Sequence, residues 1–280
     1  VNALINGFSV YSAKNLIYVF LAPYVLFYQN FFSGPHKYLS FLFFSTICWY
    51  LIEPSSYLTL EFGSFPRFAG PFINPNVAGL SMLLLIIYLK NQPVVKFMKF
   101  ICLVLLVYGV YLTQSKTAWI LLPICFLKKK HILWYLGLLI LIAIYLFISF
   151  DLRRFLPSLF SRFSLWSTVS LGDFSFFGSG FDTFGAGIGT LTSTSILIID
   201  SFYISAFLSG GITYLVLSVT FFFIMPFLKC HRNDALIAPS VAVMSIACTS
   251  GNFLENGFPA NIIFLAIIMQ KSKIGAKVVG

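Results

Sequence analysis

The 280-residue chain is 59% hydrophobic and 9% charged, with 34 Phe, 14 Tyr and a mean hydropathy of +0.93. Soluble globular domains carry about 25% charged residues, so the composition excludes that class and points to a polytopic integral membrane protein. A formal charge of +10 would suit a nucleic-acid partner if it were gathered on one arm or face, but it is scattered along the chain in twos and threes.

The chain opens on Val1 rather than methionine, and residues 1–14 contain no tripartite signal peptide. Either upstream helices precede it, making it an N-terminally truncated piece, or an alternative start codon is used. Apolar runs near the ~20 residues that cross a bilayer then predict nine spans, at 15–32, 38–52, 76–89, 97–113, 117–127, 132–150, 201–227, 235–251 and 259–270. The expected fold class is all-α: a polytopic transmembrane helix bundle, one integral membrane domain over 1–280, with a long extracytoplasmic loop at 151–200 bearing short interfacial helices. A transmembrane barrel would show ~10-residue alternating segments instead, and none occurs. The five cysteines, Cys48, Cys102, Cys125, Cys230 and Cys248, sit mostly inside apolar runs and read as small packing residues.

Loop charges set the orientation. With the loops after the first, third, fifth and seventh spans on one side together with the C-terminus, that side holds twelve Lys and Arg against Asp234 alone, a net +11. The other side holds six basic residues against seven acidic ones, a net −1. The positive-inside rule makes the first side cytoplasmic and the 151–200 loop extracytoplasmic.

Three external segments stand out. The first runs from Glu53 to Gly79 and ends in FPRFAGPFINPNVAG; Pro75 disfavours a helical Asn74, so the next helix is expected to begin at Asn76 or Val77 with Asn76 as its cap. An ordinary capped helix start explains the motif, but Arg67 places a permanent cation just ahead of it, at a depth where cations are costly. The second segment is the TQSKTAW turn around Lys116. The third is the 151–200 loop, with Arg153, Arg154 and Arg162, four aspartates and the glycine-rich run GSGFDTFGAGIG. Gly178 and Gly180 in that run would let backbone amides approach a sugar or phosphate, while the simpler reading is a loop with turns.

The order RFAG, FINPNVAG, TQSKTAW, SRFSLW, FFGSGFDTFG and DSFYISAFLSGGI resembles the O-antigen polymerase and O-antigen ligase superfamily of bacterial envelope glycan assembly, over about residues 60 to 215. The resemblance implies a multi-helix glycosyltransferase in the bacterial cytoplasmic (inner) membrane, acting on its periplasmic or extracellular face. Its substrate would be an undecaprenyl-diphosphate-linked oligosaccharide, with no metal and no cofactor. Implied partners are the lipid bilayer, a chain-length regulator and a flippase, with no nucleic acid. Arg67 matches the arginine before the asparagine-proline-asparagine motif, and Arg162 the arginine that opens the loop motif. Asp200 stands where ligases of the superfamily usually have a histidine, which favours polymerase over ligase. Lys116 stands where many relatives have arginine, and a lysine there binds as a point charge rather than a fork. Gly172 follows Arg162 after nine residues where the polymerase pattern has ten.

The residue chemistry runs parallel to this. Releasing a sugar from a lipid diphosphate leaves about two negative charges on the departing group, which arginine binds bidentately and stabilises as charge develops. Arg67, Arg153, Arg154 and Arg162 are the candidates, although an RR pair just past a membrane helix also serves as an interfacial anchor. The acceptor hydroxyl needs a base, and all three histidines, His36, His131 and His231, fall on the cytoplasmic side. That leaves Glu53, Glu61, Asp173, Asp182, Asp200 and Glu255; Asp200, at the entry to the seventh span, is read either as base or as helix N-cap. The catalytic assignment is thus Arg67, Arg162 and Asp200, with Arg154, Lys116, Asn76, Gly178, Gly180 and Tyr203 as substrate-binding residues. No DxD, HExxH, P-loop or GxSxG occurs. The alternatives are an O-antigen ligase transferring glycan to a lipid or protein acceptor, and a polysaccharide flippase or transporter. Transporters tend to place ionisable groups among their spans, and here the spans are nearly free of them.

Overall fold

The structure, a computed structural model of the chain, describes residues 75–91, 96–149, 176, 178, 201–232, 234–251, 253–256 and 260–270. The expected spans at 15–32 and 38–52 and nearly all of the 151–200 loop lie outside these residues. Among the described residues the secondary structure is helical throughout, with no strand.

The elements in chain order are α1 (Pro75–Lys90), α2 (Lys96–Thr113), α3 (Lys116–Leu121) continued by a 3-10 turn (Leu122–Phe126), and α4 (Lys129–Ser149). They are followed by α5 (Phe202–Val219), a π-helical turn (Thr220–Ile224), α6 (Met225–Lys229), α7 (Ile237–Ala247), α8 (Phe253–Asn256) and α9 (Ala260–Gln270). Among the described residues one helix, Phe202–Lys229, is long and apolar enough to cross a membrane by length and composition, at 28 residues.

Proline sets several boundaries. α1 begins at Pro75 rather than at Asn76 or Val77, because proline suits the first helical position, where its missing N–H would lack a partner anyway. Asn76 therefore lies inside the first turn and not at the cap. Pro123 tightens the end of α3 into the 3-10 turn, and the Leu122 N–H is shared between the Ala118 and Trp119 carbonyls. Ahead of Pro226 the ladder widens, and the Met225 N–H reaches the Thr220 carbonyl five residues back. That wider turn gives the proline ring room beside the carbonyl four residues before it.

α1 is the centre of the bundle. Every residue from Val77 to Leu89 is buried, as expected of a helix that is apolar all round. It packs most extensively on α2 and also meets α3, α7 and α9. The outer helices are covered on one side only: Phe97, Phe100, Val104, Tyr108 and Tyr111 on α2 are exposed, as are Leu133, Leu138, Leu141 and Tyr145 on α4. Trp134 is 81% exposed. Helix Lys116–Phe126 and α7 have eleven residues each, about 17 Å of rise. α7 is shorter than the span expected at 235–251, Lys116–Phe126 equals in length the one expected at 117–127, and neither alone matches a hydrocarbon core of about 30 Å.

One end of the bundle is rich in lysine. There Lys90 Nζ donates to the Cys125 carbonyl at 3.0 Å and Lys99 Nζ to the Lys90 carbonyl at 3.2 Å. Lys129 Nζ donates to the carbonyls of Phe227 and, at 2.9 Å, Cys230, over the Phe227 ring. These carbonyls lie at helix C-terminal ends, which lack intrahelical donors and attract cations. Asp234, buried, accepts from the N–H groups of Leu236, Ile237 and Ala238 at 3.1, 2.6 and 3.0 Å and so caps α7. Asn91 Nδ2 donates to the Ala235 carbonyl at 2.9 Å. The loops after α1, after the 3-10 turn and after α6 therefore share one end. Burial lowers the pKa of Lys90 there, with Lys128 acting in the same direction and Cys125 opposing.

Candidate functional site

The opposite end gathers the segments that carry the sequence motifs. α2 ends in a tight turn: the Thr113 hydroxyl donates to the Val110 carbonyl at 2.7 Å and accepts from the Ser115 N–H at 3.3 Å. Gln114 takes φ 48, a left-handed conformation that costs a non-glycine residue about 1–2 kcal/mol. Ser115 then caps α3 by accepting from the Ala118 N–H, and Lys116 is the exposed first residue of that helix. A cation at a helix N-terminus opposes the helix dipole by about 0.3–1 kcal/mol.

This turn sits directly against the start of α1. A methyl group at Gly79 would lie 2.9 Å from Ala118 Cβ, 3.1 Å from Thr113 Oγ1 and 3.4 Å from Ser115 Cβ. The NPNVAG and TQSKTAW motifs thus touch through Gly79, a residue that sequence reasoning did not single out. Beside the contact lies a small cleft lined by Asn76, Ser115, Thr117, Ala118, Ala247 and Phe253 among others. Its volume of about 10 Å³ holds a single water molecule and no sugar.

Two further segments meet this end. The Thr117 and Ser250 hydroxyls are 3.2 Å apart, and the Phe202 N–H donates to the Cys248 carbonyl at 3.0 Å. The N-cap position of α5 belongs to Ser201, with extended backbone angles and no side-chain hydrogen bond to the helix. Tyr203 Oη lies 2.8 Å from Ser245 Oγ and donates to the Ser245 carbonyl at 2.9 Å, tying α5 to α7. Asn76, Lys116 and Tyr203 thus lie on segments that converge at one end, and Ser245, Ser250 and Phe253 join them from a part of the sequence that carried no motif.

Exposed Tyr108 and Tyr111 stack at 6.3 Å with planes 15° apart, and Tyr111 stacks on Trp119 at 5.7 Å and 3°. Trp119 Nε1 donates to the Val110 carbonyl at 3.2 Å, so the ladder is held by the same turn that carries Lys116. Gly178 does not stand beside these residues: its backbone meets α5 near Gly211, farther along that helix. Arg67, Arg154, Arg162, Gly180 and Asp200 lie outside the described residues.

Among the described residues no three of His, Cys, Asp and Glu converge as a metal-ligating group. Cys102, Cys125, Cys230 and Cys248 are free thiols, the last three buried. No protein-family model, curated protein or solved structure matches this chain.

Proposed function

We propose that the chain is a polytopic membrane glycosyltransferase that polymerises undecaprenyl-diphosphate-linked oligosaccharide repeat units on the extracytoplasmic face of the bacterial cytoplasmic membrane. The observation that carries this reading is the partition of the bundle. The lysine-capped loops share one end, as cytoplasmic loops would, and the segments bearing Asn76, Lys116 and Tyr203 share the other. The exposed apolar faces of α2 and α4 are what lipid-facing helices present, and the Tyr108, Tyr111 and Trp119 ladder suits an interfacial aromatic belt.

In this reaction the bond between the anomeric carbon and the diphosphate breaks. A bond forms to the acceptor hydroxyl, whose proton passes to a base. Arg67 and Arg162 bind the departing diphosphate, Lys116 adds a point charge and Asp200 takes the proton. No electron transfer is involved, and the energy comes from releasing the diphosphate.

The second reading, transport of the same lipid-linked glycan, is favoured by one observation: the break at Gly211 inside the apolar helix, since discontinuous helices line many transport sites. Against it, the Lys, Arg, Asp and Glu positions among the described residues fall at the two ends and not between them. Deleting the gene and examining surface-glycan banding separates the readings. Loss of a polymerase leaves a single repeat unit attached to its carrier or core, whereas loss of a ligase or flippase leaves none attached. Cysteines placed at Ser175 and Ser179 should react with an impermeant thiol reagent from outside, and one at Asn233 should not. The reverse pattern would invert the orientation and remove the extracytoplasmic site.

A further inference from the structure

α5 is not continuous. At Gly211 the backbone takes φ 70 and ψ −173, dividing the element into residues 202–210 and 212–219. The two parts differ in surroundings. Phe202, Ser205, Ala206, Leu208, Ser209 and Gly210 are buried, whereas the second part buries Tyr214 and Ser218 and exposes Ile212, Thr213, Val216 and Leu217. Such a break opens the hydrogen-bond ladder, leaving N–H groups at the start of the second part and carbonyls at the end of the first without intrahelical partners. Orphaned backbone groups in an apolar setting persist only where another part of the protein covers them.

Phe176 and Gly178 approach the break from the loop. The Thr213 hydroxyl donates to the Phe176 carbonyl at 3.2 Å, across 37 residues of sequence. Gly178 has φ +69, and a methyl group on it would collide with the Ser209 carbonyl oxygen and lie 2.5 Å from the Gly211 nitrogen. A methyl on Gly211 would collide with the Phe176 carbonyl oxygen and lie 2.6 Å from the Gly178 nitrogen. Each glycine is thus required twice, by a left-handed backbone conformation and by the other segment's backbone, which cannot swing aside as a side chain would.

We propose that Gly178 and Gly211 form a backbone crossing that docks this part of the 151–200 loop onto the break in α5, with Thr213 as its hydrogen-bonded clasp. The crossing lies about 14 Å along the helix from Phe202, so it holds Phe176 and Gly178 well away from the end where α5 enters the bundle. Gly178 is then a positioning residue whose close neighbour is protein backbone, in place of the sugar or phosphate that its glycine-rich setting suggested. The two halves of α5 also depend on the loop: without Phe176 and Gly178 against them, residues 202–219 have no reason to break and would run as one helix. This inference concerns the fold and stands whether the chain polymerises glycan or transports it.

The test is proximity in the full chain in its native membrane. Phe176→Cys is paired with Thr213→Cys, treated with a short bis-methanethiosulfonate linker, and the joined peptides are quantified by mass spectrometry. The reference pair is Phe176→Cys with Ile224→Cys, an exposed position about 16 Å farther along the same helix. The 176–213 pair should link about tenfold more than the reference, because only it holds the two thiols within the linker's span. Adding Gly211→Ala, which disfavours the left-handed turn, should lower the 176–213 yield by about tenfold. Equal yields for the two pairs would overturn the crossing, as would a 176–213 yield that Gly211→Ala leaves unchanged. Should the alanine protein fail to accumulate, the comparison of pairs in the glycine-bearing chain decides the matter alone.

Discussion

Gly79 gives a sharp test of the packing that joins the two motif-bearing turns. In an isolated helix Gly→Ala stabilises by about 1 kcal/mol, because alanine has less backbone entropy to lose. At Gly79 the added methyl would stand 2.9 Å from Ala118 Cβ and 3.1 Å from Thr113 Oγ1, and the neighbours belong to a turn already fixed by the Thr113 and Ser115 hydrogen bonds. Overpacking of this kind costs about 1–3 kcal/mol, so the net effect is a loss of up to about 2 kcal/mol. Gly137, on the exposed part of α4, has nothing within 4 Å of its Cβ position, and Gly137→Ala should show the helix-propensity gain alone. Thermal unfolding of detergent-purified protein should therefore separate the variants by several degrees, at about 2–4 °C per kcal/mol for a chain of this size. Ala118→Gly removes the nearest contact, and the double variant should recover about 1 kcal/mol relative to the sum of the single changes. If Gly79→Ala and Gly137→Ala shift Tm equally, or if Ala118→Gly rescues nothing, the proposed close approach is wrong.

Four other outcomes are expected. Tyr203→Phe removes the hydroxyl bound to Ser245 and should cost about 0.5–1.5 kcal/mol of stability; a glycan yield that falls at unchanged Tm would instead mark Tyr203 as a substrate contact. Asp234→Ala deprives three N–H groups of α7 of their acceptor and should cost about 1–2 kcal/mol, whereas Asp234→Asn keeps an acceptor and should remain close to the parent in Tm. Arg162→Lys and Asp200→Asn should each abolish long polymer at normal membrane abundance, through loss of the guanidinium fork and of the base; near-normal chain lengths in both would refute those roles. Because the Lys90 pKa is lowered on folding, the unfolded chain binds more protons in the window between the folded value and that of ordinary lysine. Stability should therefore gain an increment as pH rises through that window, and Lys90→Met should remove the increment from a Tm-versus-pH series.

How much of this was legible beforehand depended on the range of the interaction responsible. The expected spans at 76–89, 97–113, 132–150 and 201–227 correspond to α1, α2, α4 and the helix Phe202–Lys229 to within a few residues. Unbroken apolar runs and flanking lysines are local signals. The expected span at 117–127 matches helix Lys116–Phe126 to within a residue at each end, whereas the one at 235–251 is longer than α7, which ends at Ala247 in a turn that hydropathy does not register. The break at Gly211 lay hidden inside the expected span 201–227, since the Phe176 carbonyl that meets Thr213 beside it is 37 residues away in sequence. Of the site residues, Asn76, Lys116 and Tyr203 were found on converging segments. Gly79, Ser245 and Ser250 were missed because their significance lies wholly in what they touch.

The π-helical turn at Thr220–Ile224 can be regarded as a phase shift. A π turn accommodates one extra residue in an α-helix, and each residue advances the azimuth by about 100°. Everything from Met225 to Cys230 therefore points where it does because of a single count in the segment before Pro226. Lys129 reads that phase, since its ammonium meets the Phe227 and Cys230 carbonyls and the face of the Phe227 ring together. Deleting one residue between Thr220 and Ile224 would restore a regular ladder and rotate the whole terminal turn away from Lys129. A shortened helix would then be locally more ideal and globally misaligned, which is why this irregularity belongs to the assembly of the bundle and not to the helix itself.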